Sequence, residues 1–207
     1  MADPAIDKGL FTVPNLISVV RLCCIPLFLW LLFGRHDRLG AAWLLAGLGA
    51  TDWVDGWIAR RFGQVSEIGK ILDPTADRLL FIVGIGGVII DGSAPLWFGL
   101  LVVVREVLVG GTMATATAFG MKRIDVTWAG KSGTFGLMFA FPMFLLAKAL
   151  GHSHWGRFWM WSGWACGLPA LVYSYVAAIE YAPKIQAGLA AARAERTARG
   201  AQTARAR

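Results

Sequence analysis

Four aspartates, Asp52, Asp55, Asp73 and Asp77, stand in one stretch of an otherwise strongly apolar chain, TDWVDGWIARRFGQVSEIGKILDPTADRLL from Thr51 to Leu80. A charge at bilayer depth costs about 2.5–3.5 kcal/mol on insertion scales, so carboxylates placed there face polar cavities and do chemical work. Asp52 and Asp55 are three residues apart and lie about 60° from each other on a helix. Gly56, Ala59 and Arg60 fall on the same side. The two small residues let a ligand approach the backbone, and the guanidinium of Arg60 suits phosphate oxygens. Asp73 and Asp77 are one turn apart on the following segment, with Gly69 one turn earlier. Pro74, between them, predicts a kink. Antiparallel packing of the two segments would bring all four carboxylates together. Divalent cations relieve their repulsion, and an all-carboxylate donor set favours Mg²⁺ or Mn²⁺ over zinc. Pairing with Arg60, Arg61 and Arg78 is the competing reading.

The elements that must hold these residues are membrane helices. Of 207 residues, 57% are hydrophobic and 16% charged, against roughly 25% charged in soluble domains. Apolar runs at about 16–33, 39–58, 68–90, 95–119, 130–150 and 158–181 each approach the roughly 20 residues of a bilayer span. The expectation is an all-α integral membrane protein with six transmembrane helices. It comprises a catalytic domain over 1–185 and a basic Ala/Arg-rich tail over 186–207, frayed and attracted to lipid. No internal repeat and no cleavable signal is read.

The net charge of +7 reads as topology. Lys8, Arg60, Arg61, Lys70, Lys122, Arg123, Lys131, Lys184 and the tail arginines fall on one side. Arg35, Arg38, Lys148 and Arg157 fall on the other. The positive-inside rule then puts both termini and the aspartates at the cytoplasmic face, with a bacterial inner membrane as the expected location. Nothing interleaves aromatic and basic residues as a nucleic-acid groove would. Cys23, Cys24 and Cys166 lie in apolar runs without metal or redox spacing.

The full pattern is Asp52-x-x-Asp55-Gly56-x-x-Ala59-Arg60, eight residues, Gly69, three residues, Asp73, three residues, Asp77. It resembles the signature of the CDP-alcohol phosphotransferase family at every position. Pro14-Asn15-Leu16-Ile17-Ser18 with Arg21, Arg105-Glu106 and Gly130-Lys131 are similar to its phosphatidylglycerophosphate synthase and cardiolipin synthase branch. The resemblance implies a six-helix enzyme, usually a homodimer. It implies transfer from a CDP-linked lipid, generally CDP-diacylglycerol, to an alcohol acceptor with release of CMP. Carried over, Asp52, Asp55, Asp73 and Asp77 hold two metal ions, and Asp77 is also the base on the acceptor hydroxyl. Thr51, Asp55, Gly56, Ala59, Arg60 and Gly69 form the CDP-lipid site. Arg105, Lys131, Arg123, Asn15 and Arg21 are the candidates for the acceptor side, with Lys122 beside Arg123 at its entrance.

One motif departs from the glycerophosphate branch. Those enzymes tend to read Gly-Lys-x-Lys-Thr where this chain has Gly130-Lys131-Ser132-Gly133-Thr134, so the second lysine is missing. The expected acceptor is glycerol 3-phosphate. Phosphatidylglycerol, with its single phosphodiester charge, is the alternative, and an inositol phosphate a third. A transporter or ion pathway is the reading from another class, since intramembrane aspartates mark those too. Repeated halves, common in such folds, are missing.

Overall fold

The computed structural model describes the backbone of residues 13–62, 69–118 and 127–205, and the side chains of 18–51, 78–113, 115–117 and 127–190. Among the described residues all regular structure is helical. The order is α1 (Val13–Leu29) with a π-helical turn at Trp30–Gly34, α2 (Arg38–Phe62), α3 (Gly69–Ile90), α4 (Leu96–Ala118), α5 (Trp128–Leu150) and α6 (His154–Arg205). Each expected apolar run coincides with one helix. Leu96–Thr117, Trp128–Leu150 and His154–Ala190 are long and apolar enough to cross a bilayer. Ser18–Gly34 and Arg78–Ile90 are shorter apolar helices.

Local chemistry sets the helix ends. Asp37 Oδ1 accepts the Gly40 N–H at 2.9 Å, Thr127 Oγ1 that of Gly130 at 3.2 Å, and Ser153 Oγ that of Gly156 at 3.0 Å. Each is an N-cap satisfying a donor that has no partner inside its helix. Helix α3 closes on Gly92, whose φ of 72° is left-handed. Gly92 N–H bonds Ile89 O at 2.9 Å and Ser93 N–H bonds Val88 O at 3.1 Å, the paired pattern that ends a helix at such a glycine. Pro74 is the sixth residue of α3, and the helix continues through it, losing only the bond to Lys70.

One expectation needs correction. The sixth span was read as stopping before Pro183, with a frayed tail beyond. Instead α6 runs through Pro169 and Pro183 to Arg205. The residues past Pro183 are mostly Ala, Arg, Gln and Glu, all strong helix formers, and their summed propensity outweighs one proline.

The chain divides into two compact units. One comprises Met1–Gly99 and Met138–Gly167, the other Leu100–Leu137 and Leu168–Arg207. In the first, α1 packs on α3 and α2. Gly87 makes room for it, since a Cβ there would stand 2.9 Å from Phe28 and 3.3 Å from Leu32. Phe98, Phe141, Phe144 and Trp164 form an edge-to-face cluster, and Trp97 stacks on Trp164 at 5.6 Å. In the second unit, Arg105 and Ser174 are buried, and Tyr175 donates its hydroxyl to Leu101 O at 2.9 Å.

Charged residues of the first unit gather where α2 begins and α3 and α5 end. Arg38 Nε donates to both carboxylate oxygens of Asp91 at 2.9 and 3.1 Å. Ser93 Oγ also donates to Asp91, and Lys148 Nζ reaches Gly92 O at 3.1 Å. Burial raises the Asp91 pKa, but the hydrogen bonds from Arg38 and Ser93 and the charges of Arg38 and Lys148 outweigh it, so the net direction is downward. A carboxyl depressed in the folded state stabilises it above the unfolded pKa of about 3.9, and that contribution is lost as pH falls through the folded value. Asp91→Asn should therefore destabilise the detergent-solubilised protein at pH 7 by about 1–2 kcal/mol, a modest figure because Arg38 is partly solvated. The gap to the parent should close in thermal unfolding below about pH 4. A gap that persists in acid would assign the loss to packing instead of charge.

Candidate active site

The first half of the site is a helix pair. Arg38, the first residue of α2, meets Asp91, the residue that follows the last of α3. Seven residues along α2, Leu45 lies against Gly84, seven residues back along α3; a Cβ on Gly84 would stand 3.0 Å from Leu45 Cδ1. Two contacts seven residues apart on each helix define an antiparallel register that repeats on one face, since seven residues are nearly two turns. Both helices continue unbroken. Carried a further seven residues along both helices, that register would set position 52 of α2 level with position 77 of α3, position 56 with 73 and position 60 with 69.

Thr51 is exposed, and its hydroxyl donates to Leu48 O at 2.8 Å. The side chains of Asp52, Asp55, Gly56, Ala59, Arg60, Gly69, Asp73 and Asp77 lie outside the described residues, as do the turn joining α2 to α3 and the residues Lys122 and Arg123. Among the described residues no cluster of histidine, cysteine and carboxylate groups could hold a metal. Asn15 is on α1, with its side chain outside the described set. Arg21 is 3% exposed and Ser18, one turn earlier, 4%. Arg21 is thus buried on the helix face it shares with Ser18.

The second unit holds the remaining candidates. Arg105 of α4 is 6% exposed. Its Nε donates to Ser174 O at 3.1 Å and its Nη1 to Glu106 Oε2 at 2.8 Å. Burial of a guanidinium requires such partners. The neighbouring carboxylate neutralises much of the Arg105 field. Lys131, in the first turn of α5, is exposed. Two residues on, Gly133 is pressed against α6. A Cβ at that position would stand 2.8 Å from Ser174 N, 3.0 Å from Ala170 O and 3.0 Å from Ser174 Cα, all backbone atoms. Ser174 is therefore a node where α4, α5 and α6 meet, and its hydroxyl is taken up by Leu171 O at 2.7 Å. Sequence reading missed Ser174. A serine in an apolar helix was the available signal, but its partners are distant in the chain.

A family model described as CDP-alcohol phosphatidyltransferase matches residues 11–169. The chain is 34% identical over 178 residues to a "Putative cardiolipin synthase" of Mycobacterium tuberculosis, covering 84% of each protein. It is 39% identical over 145 residues to a "Cardiolipin synthase (CMP-forming)" of Streptomyces coelicolor, covering 68% of this chain and 67% of the relative. To a "CDP-diacylglycerol--glycerol-3-phosphate 3-phosphatidyltransferase" of Pseudomonas fluorescens it is 30% identical over 161 residues, covering 74% and 79%.

Proposed function

From the premise that this chain belongs to the CDP-alcohol phosphatidyltransferase family, we propose that its acceptor is phosphatidylglycerol and its product cardiolipin. The protein is a membrane-bound transferase of phospholipid synthesis, and the transporter reading falls with that membership. In the proposed reaction a free hydroxyl of the acceptor attacks the phosphorus that carries diacylglycerol. A new P–O bond forms, the bond to the CMP oxygen breaks, and CMP leaves.

Gly133 is the observation that carries the choice of acceptor. It occupies the place of the second lysine in the glycerophosphate pattern. Backbone atoms of α6 stand within 3.0 Å of where its side chain would begin. The helix contact excludes a second ammonium there, whatever the surroundings. Arg105 is already paired with Glu106, and Lys131 lies exposed in the first turn of α5. A single lysine in that motif suits a phosphodiester monoanion better than a phosphate dianion. Glycerol 3-phosphate is the second reading, favoured by the Pseudomonas relative's name and by the likeness of Pro14–Ser18 and Arg21 to the glycerophosphate branch.

The donor set of the helix pair fits divalent cations. It is all carboxylate, two per helix. Asp52, Asp55, Asp73 and Asp77 would hold two ions, Mg²⁺ or Mn²⁺. Ions bound there would neutralise charge on the phosphoryl oxygens. The chain's own residues do the rest. Asp77 takes the proton of the acceptor hydroxyl, since an alcohol is a weak nucleophile. Arg60 holds the diphosphate of CDP-diacylglycerol. Gly56 admits the nucleotide close to the backbone, and Thr51, Ala59 and Gly69 line the same groove. The distribution of basic residues supports a site open to the cytoplasm of a bacterial inner membrane, and the family resemblance supports a homodimer.

An acceptor panel tests the reading. Purified protein with CDP-diacylglycerol and Mg²⁺ or Mn²⁺ should release CMP and form cardiolipin when phosphatidylglycerol is supplied, and far less with glycerol 3-phosphate or an inositol phosphate. Preference for glycerol 3-phosphate would overturn the acceptor. No CMP with any acceptor, with CDP-diacylglycerol still bound, would overturn the enzyme reading.

A further inference from the structure

Tyr181 of α6 is 3% exposed. Its ring is fixed in a small apolar cluster with Ala129 and Ala177, against which Val109, Met113 and Ile185 pack. A ring held on all sides aims its hydroxyl in one direction. The phenol oxygen accepts the backbone N–H of Thr127 at 2.9 Å, across 54 residues of sequence. Thr127 is the cap of α5. Its side chain accepts the Gly130 N–H at 3.2 Å, and its carbonyl accepts the Lys131 N–H at 3.0 Å. Two hydrogen bonds in series thus connect the buried phenol to the backbone of Lys131.

We propose that Tyr181 is a positioning residue for the acceptor, acting through Thr127 on Lys131. The proposal rests on the reading that Lys131 meets the acceptor phosphate. The physical need is plain. The first N–H groups of a helix have no intrahelical partner, so the first turn of α5 frays unless something outside holds it. Thr127 satisfies the Gly130 donor, and Tyr181 in turn satisfies Thr127. Lys131 is exposed at the end of this chain of contacts, on a long flexible stem, and the direction of its ammonium depends on where its backbone is fixed. A displacement of about 1 Å in a group that positions substrate is enough to weaken its productive contact with the acceptor by an order of magnitude or more, about 10–100-fold.

The test is Tyr181→Phe in the full-length protein in lipid nanodiscs, assayed with phosphatidylglycerol and, in parallel, with glycerol 3-phosphate. It deletes one oxygen and keeps the ring in its cluster. The KM for the acceptor that supports turnover should rise about tenfold, with kcat and the KM for CDP-diacylglycerol changed by less than about twofold. Amide hydrogen exchange should accelerate at residues 127–131 and stay unchanged in the rest of α5. Thr127→Ala should reproduce the acceptor defect, and Thr127→Ser, which keeps the capping oxygen, should restore it. Lys131→Ala separates the two levels of the argument. If it leaves the acceptor KM unchanged, the assignment of Lys131 fails and the positioning role falls with it. If Lys131→Ala raises that KM and Tyr181→Phe does not, the role of Tyr181 alone is overturned. A uniform fall in kcat and thermal stability without preference for the acceptor would mark Tyr181 as structural only.

Discussion

Asp77→Asn is expected to lower CMP release by about 10²–10⁴-fold, the range that a positioned general base contributes, while binding of CDP-diacylglycerol survives. Asparagine keeps a ligand oxygen and the side-chain volume but cannot take a proton. Aspartate and asparagine have the same shape, so the backbone arrangement should be unchanged by the substitution. Single-turnover CMP release, read beside equilibrium binding of the nucleotide lipid, separates the two effects. A variant that turns over near the parental rate would move the base elsewhere. Loss of binding together with rate would make Asp77 a ligand holder first.

The second large effect is structural. Gly133→Ala places a methyl group 2.8 Å from Ser174 N and 3.0 Å from Ala170 O. Neither atom can yield without moving α6. Overpacking of this kind costs about 1–3 kcal/mol, which corresponds to a fall in Tm of about 3–10 °C for a chain of this size. The damage should spread to Arg105, because the Ser174 carbonyl that receives its Nε belongs to the same displaced turn. Gly133→Lys should be worse and fail to give a stable protein. Gly111→Ala is the matched control, since a Cβ on Gly111 meets nothing within 4 Å and alanine favours helix. Thermal unfolding in detergent should show the first two variants destabilised and the control unharmed. An unaltered Tm for Gly133→Ala would remove the close helix contact and the acceptor argument built on it.

Much of this was legible in the chain before any coordinates. The six helices could be read because a bilayer span needs length and apolarity, and both are written locally. The spacing of Asp52, Asp55, Asp73 and Asp77 could be read because helical period is fixed. The family assignment from that spacing agrees with the match over residues 11–169. The departure at Gly133 was visible as a missing lysine, but its cause was not, because the atoms that exclude a side chain come from Ala170 and Ser174, far along the sequence. The end of α6 was misread because Pro183 is a strong local stop signal, and only the summed propensity of the residues beyond it decides otherwise. The Tyr181 to Thr127 bond spans 54 residues and leaves no local mark at all.

The register between α2 and α3 also has a consequence for the membrane itself. Asp52 and Asp77 lie fourteen residues along the chain from Arg38 and Asp91, about 21 Å at 1.5 Å per residue. If the Arg38–Asp91 pair marks one boundary of a hydrocarbon core of about 30 Å, the carboxylates of the proposed site would sit about 9 Å short of the other. A lipid phosphate would then have to be drawn down to that level, over a distance that grows with the thickness of the leaflet around the protein. Acyl-chain length in the surrounding bilayer would become a control on the rate, exerted without any change in the groups that do the chemistry.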